Sequence, residues 1–180
     1  MKQIVGILIL SVMIISCTSE SKIQPTNKYF DLKGLIERQI KMLNNQKPAI
    51  QKSIIMINST ENQTITTTDW SKELELFIQA DLNKPAFVQS YQVDSSSMGV
   101  KYTLKENEKL PVKYLNISKL EEGAIGVEAL ISSDNYLYQT ERLLKLSIKK
   151  NQLTDYQING FQKIVFGDRK VFRINGKLLR

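Results

Sequence analysis

Tyr136-Leu137-Tyr138-Gln139-Thr140-Glu141-Arg142-Leu143-Leu144-Lys145-Leu146-Ser147-Ile148 decides how this chain is built. Every second residue of it (Tyr136, Tyr138, Thr140, Arg142, Leu144, Leu146, Ile148) makes one largely apolar face, the period-two pattern of a half-buried strand. A helix over 138–146 competes for the same residues. Its surroundings favour the strand. Val100-Tyr102-Leu104 and Ile125-Val127-Ala129-Ile131 alternate in the same way, and turn signals separate the runs: Asn107-Glu108, Glu122-Gly123, Ser133-Asp134-Asn135, Lys150-Asn151 and Asn159-Gly160. Gly167-Asp168, between Phe166 and Arg169, is placed for a type II′ hairpin turn.

Upstream of Phe87 the period changes. Leu32, Leu35, Ile36, Ile40 and Leu43 form one stripe of a helix over Asp31–Gln46, with Asp31 as N-cap, Phe30 as a staple on Leu35, and Pro48 closing the segment. A second helix starts at Thr68-Asp69, with Trp70, Leu74, Phe77, Ile78 and Leu82 inward and Lys72, Glu73 and Glu75 outward, and stops before Pro85. Lys52–Ile57 and Gln63–Thr67 read as a hairpin around Asn58–Asn62. The pattern predicts an α+β domain over 29–180: a helix, a hairpin, a second helix, then about eight strands in a long antiparallel meander. So many consecutive strands are expected to curl toward a half-barrel. No repeat, low-complexity tract or internal domain boundary interrupts it.

The first 28 residues have a different composition. After Met1-Lys2-Gln3, the twelve residues Ile4–Ile15 are aliphatic except for Gly6 and Ser11. A bilayer-spanning helix needs about 20 apolar residues; twelve suits the apolar centre of an export signal. Ile14-Ile15-Ser16-Cys17 resembles the lipobox of bacterial lipoproteins, in which a small residue precedes the cut and the cysteine thiol takes a diacylglycerol. Ile14 stands where leucine is commoner. The resemblance implies that residues 1–16 are a signal peptide, that cleavage falls between Ser16 and Cys17, and that acyl chains on Cys17 hold the protein to a membrane. An uncleaved anchor helix with Cys17 buried is the alternative. Residues 17–28 then serve as a polar, lipidated tether with a root-mean-square reach of roughly 18 Å. Thr18, where aspartate would signal inner-membrane retention, favours the outer membrane. Glu20 and its neighbours are similar to the acidic export tag of surface lipoproteins in Bacteroidota, which leaves both the periplasmic and the surface-facing side open.

The 180-residue chain has 25 Lys and Arg against 18 Asp and Glu, no histidine and one cysteine. Without histidine, and with Cys17 committed to lipid, Ser-His-Asp and Cys-His systems, His/Cys zinc sites and internal disulfides are excluded. No cofactor-binding motif occurs and no catalytic residue is assigned. Carboxylate pairs could still drive hydrolysis, but Glu73 and Glu75 lie two apart on a helix, and Glu106/Glu108 and Glu121/Glu122 fall in turns. The expected function is a non-enzymatic binding or accessory module of the cell envelope. The alternative is a carrier of a hydrophobic ligand, resembling the lipoprotein-sorting chaperones in strand count and single long helix.

One region invites a partner. Lys163, Arg169, Lys170, Arg173, Lys177 and Arg180 face a single acidic residue, Asp168, over the last 18 positions. A two-residue turn at Gly167-Asp168 would oppose Phe166/Arg169, Val165/Lys170, Ile164/Val171, Lys163/Phe172 and Gln162/Arg173. Arg169 and Arg173 would then share one face with Ile164 and Val171, and Lys163 and Lys170 the other with Val165 and Phe172. Lys163, Arg169, Lys170 and Arg173 could meet anionic lipid headgroups or an acidic envelope protein. The simpler reading is that they are guard charges on an edge hairpin. Nucleic acid does not fit an extracytoplasmic address. Tyr91, Tyr102, Tyr114, Tyr136, Tyr138 and Trp70 could line a sugar or lipid pocket, or fill the core.

Overall fold

A computed structural model describes residues 28–179. The segment expected to be a signal peptide, with Ser16 and Cys17, and the expected tether up to Asn27 lie outside the described residues. The chain is α+β and mostly sheet. Helix α1 (Leu32–Gln46) leads into strands β1 (Ile50–Met56) and β2 (Ser59–Ile65); short helices α2 (Trp70–Glu73) and α3 (Glu75–Gln79) follow. Then come β3 (Tyr91–Ser96), β4 (Gly99–Leu104), β5 (Val112–Lys119), β6 (Ile125–Asp134), β7 (Tyr138–Lys149), β8 (Gln152–Ile164) and β9 (Lys170–Leu178).

The nine strands of the described residues pair antiparallel in one sheet ordered β2-β1-β9-β8-β7-β6-β5-β4-β3. The meander is therefore seven strands long, and the N-terminal hairpin extends it by pairing Ile50 with Leu178 through to Met56 with Phe172. That hairpin is tighter than the sequence suggests, turning at Ile57-Asn58 so that Ser59 already pairs with Met56.

The half-barrel expectation is overturned: the sheet is open and uncurled. Helices, rather than the sheet's own curl, bury its apolar face. From α1, Leu32, Leu35, Ile36 and Leu43 are buried against it, with Trp70, Leu74 and Phe77 from the second helical region. On the sheet side they meet Ile50, Leu144, Leu146, Tyr156 and Ile158. The strand reading of 138–146 holds, and Thr140, Leu144, Leu146 and Ile148 lie on the covered face. At the outer edge, β2 (STENQTI) is exposed and polar, which discourages further strand addition.

Asp31 caps α1 by accepting from Gly34 N at 2.8 Å, and Lys47 ends it in the left-handed region at φ 48°. The single second helix does not form. Leu74 (φ −103°, ψ 7°) breaks it, and Pro85–Phe87 is a separate 3₁₀ turn. Glu73 is not outward either. It receives the Tyr156 hydroxyl and lies 2.7 Å from Lys52 Nζ, at 17 % side-chain exposure. Its position follows from spacing, because 70, 73, 74 and 77 are one i, i+3, i+4, i+7 stripe.

Candidate functional site

The helices cover only part of the sheet's inner face. β1, β7, β8 and β9 run past them, and burial alternation fades toward Met56, Tyr138, Ile164 and Lys170. Three connections gather at this uncovered end: Ile57-Asn58, Asn135–Leu137 and Val165–Arg169. Turn positions usually carry small or polar residues. These carry Ile57, Tyr136, Leu137, Val165 and Phe166, all exposed, with Phe166 at 99 % and Tyr136 at 84 %. Among the described residues, nine of the thirteen exposed large hydrophobic residues lie here, so the exposure is a patch rather than scatter.

The backbone beneath the patch is fastened. Asn135 Oδ1 accepts from Leu137 N at 2.9 Å and from Tyr138 N at 3.0 Å. Val165 N donates to Leu137 O at 3.0 Å, joining the β8–β9 loop to the β6–β7 turn. Gly167 N donates to Ile164 O at 3.0 Å. An apolar groove of about 440 Å³ opens beside these turns, lined by Met56, Ile57, Lys170, Val171 and Phe172 among others.

The expected hairpin register is corrected by three residues. Gln162 pairs with Lys170, Phe161 with Val171, Gly160 with Phe172 and Asn159 with Arg173; Lys163 and Ile164 pair instead with Gln139 and Tyr138 of β7. The type II′ turn is absent, because Gly167 lacks the positive φ it requires; among the described glycines only Gly99 and Gly123 have one. The physical reason lies further down the strands. In the observed register the strand glycines of the hairpin each face an aromatic residue, Gly160 opposite Phe172 and Gly176 opposite Tyr156. A Cβ at Gly160 would come within 3.0 Å of Phe172 Cζ. The backbone oxygen of Glu141 on β7 would stand closer still, whereas at Gly176 the Tyr156 ring alone fills the space, so the Gly176–Tyr156 pair is the contact that favours this alignment over the local Gly-Asp turn.

This register redistributes the four candidate cations. Lys163 and Arg173 share the outer, helix-free face, and Lys170 lies on the inner face. Arg169 places its guanidinium carbon 3.6 Å from the Phe161 ring centroid. Arg173 Nε donates to Asn159 Oδ1 at 3.1 Å. None of the four forms an ion pair among the described residues. The edge-guard reading is overturned, because β9 is flanked by β8 and β1 and is not an edge strand.

The aromatic residues divide. Trp70, Tyr91 and Tyr102 are core; Tyr91 OH donates to Val112 O at 2.8 Å, and burial first of all raises its hydroxyl far above the ordinary phenol range. Tyr136 and Tyr138 are at the uncovered end. Tyr114 lies on the outer face, donating to Glu128 Oε1 at 2.6 Å, with Lys145 Nζ 2.9 Å from Glu128 Oε2 and Lys101 over the ring. Burial raises the Glu128 carboxyl, but hydrogen bonds from Tyr114 and Lys145 and the charges of Lys145 and Lys101 together hold it below its usual value. The carboxylate pairs do not converge: Glu73 binds Lys52 and Tyr156, Glu75 holds Gln79, and Glu122 pairs with Lys149. Among the described residues no three His, Cys, Asp or Glu side chains form a metal-sized group. Compared with protein-family models, curated proteins and solved structures, the chain matches none of them.

Proposed function

We propose that this chain is a lipid-anchored, non-enzymatic binding module of the bacterial envelope. It is held at the outer membrane through Cys17 and meets an envelope partner through the uncovered end of its sheet. The observation that supports the binding reading is the coincidence, at one end, of three apolar turns with four cations that have no acidic partner among the described residues. An apolar patch rimmed by charge is the usual anatomy of an interaction surface. The anchoring half rests on the apolar run Ile4–Ile15 and on Ile14-Ile15-Ser16-Cys17.

Two experiments test the two halves. Cells fed an alkyne analogue of palmitate should label the chain, and Cys17→Ser should abolish labelling; an equally labelled Cys17→Ser chain rules the anchor out. In-cell cross-linking should capture the same partner with wild type and lose it when Lys163, Arg169, Lys170 and Arg173 are replaced by alanine. Retention of every cross-link by that variant rules out the basic site.

The groove of about 440 Å³ lined by Met56, Ile57, Val171 and Phe172 favours one second reading, carriage of a hydrophobic ligand. Native mass spectrometry distinguishes it, since a carrier co-purifies with lipid in stoichiometric amount.

A further inference from the structure

We infer that the uncovered end of the sheet docks on an anionic lipid bilayer, with Ile57, Leu137 and Phe166 entering the interface and Lys163, Arg169, Lys170 and Arg173 meeting the headgroups. The inference deepens the binding-module reading and rests on it, naming the partner as a membrane surface rather than a protein.

Shape is the first argument. The three turns stand at one end of adjacent strands, from the β1–β2 turn across β9, β8 and β7 to the β6–β7 turn. At the spacing of neighbouring strands this is a row roughly 25 Å long. A row of projecting apolar tips suits a plane.

The second argument is the chemistry of the tips. Entering the interface removes backbone groups from water, which is unfavourable unless they are hydrogen-bonded already. Here Asn135 supplies an acceptor for Leu137 N and Tyr138 N, and Val165 N is bonded to Leu137 O. The side chains to be buried are Phe166, 99 % exposed, and Tyr136, of the kind enriched at the headgroup level.

Charge is the third. Lys170 lies on the inner face of the hairpin and Lys163 and Arg173 on the outer, so cations flank the apolar row on both sides. The acidic residues of this end are Asp168 in the same loop, Asp134 at the end of β6, bonded to Gln139 Nε2, and Glu141 on β7, set against Lys163, Arg169, Lys170, Arg173 and Arg142. The loop and its adjoining strand ends stay net positive, which an anionic surface complements and a zwitterionic one does not.

The test uses the full chain carrying Cys17→Ser and one new cysteine bearing an environment-sensitive fluorophore. The cysteine is placed at Asn58, in the apolar row, or at Ser97, in the β3–β4 turn at the opposite end. Probes are phosphatidylcholine vesicles with and without phosphatidylglycerol. The Asn58 label should brighten several-fold and shift to the blue on phosphatidylglycerol-containing vesicles, and be quenched by spin-labelled acyl chains. The Ser97 label should not respond, which controls for attachment through residues 4–15. Phe166→Asp should abolish the response at Asn58, and replacing the four cations by alanine should weaken it several-fold. An Asn58 label as wet with vesicles as without, an equal response at Ser97, or an equal response on phosphatidylcholine alone overturns the inference. If the Asn58 label stays wet while the cation-dependent cross-link to an envelope protein persists, only the bilayer contact falls. If the label responds and the cross-link is absent, the protein-partner form of the binding reading falls instead.

Discussion

Tyr156 of β8 lies across Gly176 of β9, its cross-strand partner, so closely that a Cβ at position 176 would overlap the ring. The bare glycine lets the ring lie flat over the sheet and carry its hydroxyl to Glu73 on α2. Gly176→Val should therefore force the ring off its seat and cost about 1–3 kcal/mol, the usual scale of overpacking. Urea unfolding measures it; an unchanged midpoint would show that the ring has room to move.

Glu73 holds two partners from the sheet, the Tyr156 hydroxyl and Lys52 Nζ, at 17 % and 18 % side-chain exposure for Glu73 and Lys52. Burial first, then the hydrogen bond and charge of Glu73, push the Tyr156 hydroxyl far above the ordinary phenol range, so it stays a donor. Tyr156→Phe or Lys52→Met each leaves the carboxylate one partner, while the double variant leaves it neither. Tyr156→Phe should cost about 1–3 kcal/mol, and the double variant should lose more than the sum of the singles by about 0.5–3 kcal/mol. Additive losses in the double-mutant cycle would show that Glu73 is solvated without them.

Much of this architecture is written locally and therefore readable. Alternation from Tyr138 to Ile148 marks β7, and the stripe from Leu32 to Leu43 marks α1, because one buried face imposes its period on the residues beneath it. Relations between distant elements leave no such trace. Nothing near Ile50–Met56 says that it will pair with β9, so the end of the chain reads as an edge when it is interior. Gln39 is the same kind of case. It sits on the buried stripe of α1 and bonds Asn151 O at 3.1 Å and Leu153 N at 2.8 Å, contacts 112 and 114 residues away that apolar periodicity does not register. The candidate site was half legible: its cations cluster in sequence, but Met56-Ile57 and Tyr136–Tyr138 join them only through the sheet.

The outer face carries a pH dependence of its own. Glu128 keeps its carboxyl below the usual value, so its contribution to stability is full above the unfolded carboxylate range, about 4.3, and disappears as pH falls through the lower folded value. Glu128→Gln should flatten the acid limb of the stability curve below that range and lower stability at neutral pH, where Lys145 loses its partner. Chemical unfolding repeated across acidic pH checks the slope. Parallel curves for the two proteins would show that Glu128 titrates alike folded and unfolded.

Two cations of the basic group are engaged within the fold: Arg173 donates to Asn159 Oδ1, and Arg169 lies over the Phe161 ring. An exposed contact of this type is worth about 0.5–1 kcal/mol, so Arg169→Ala should destabilise by that amount and Arg169→Lys by less. Lys163 and Lys170 make no ion pair among the described residues, so their alanine variants should stay within about 0.5 kcal/mol of wild type. Thermal melts of the three single variants separate the two roles. If Lys163→Ala or Lys170→Ala costs as much as Arg169→Ala, these lysines support the hairpin itself and their exposure is no sign of a partner. A silent pair of lysines beside a mildly structural arginine is the profile of charge kept for something outside the domain.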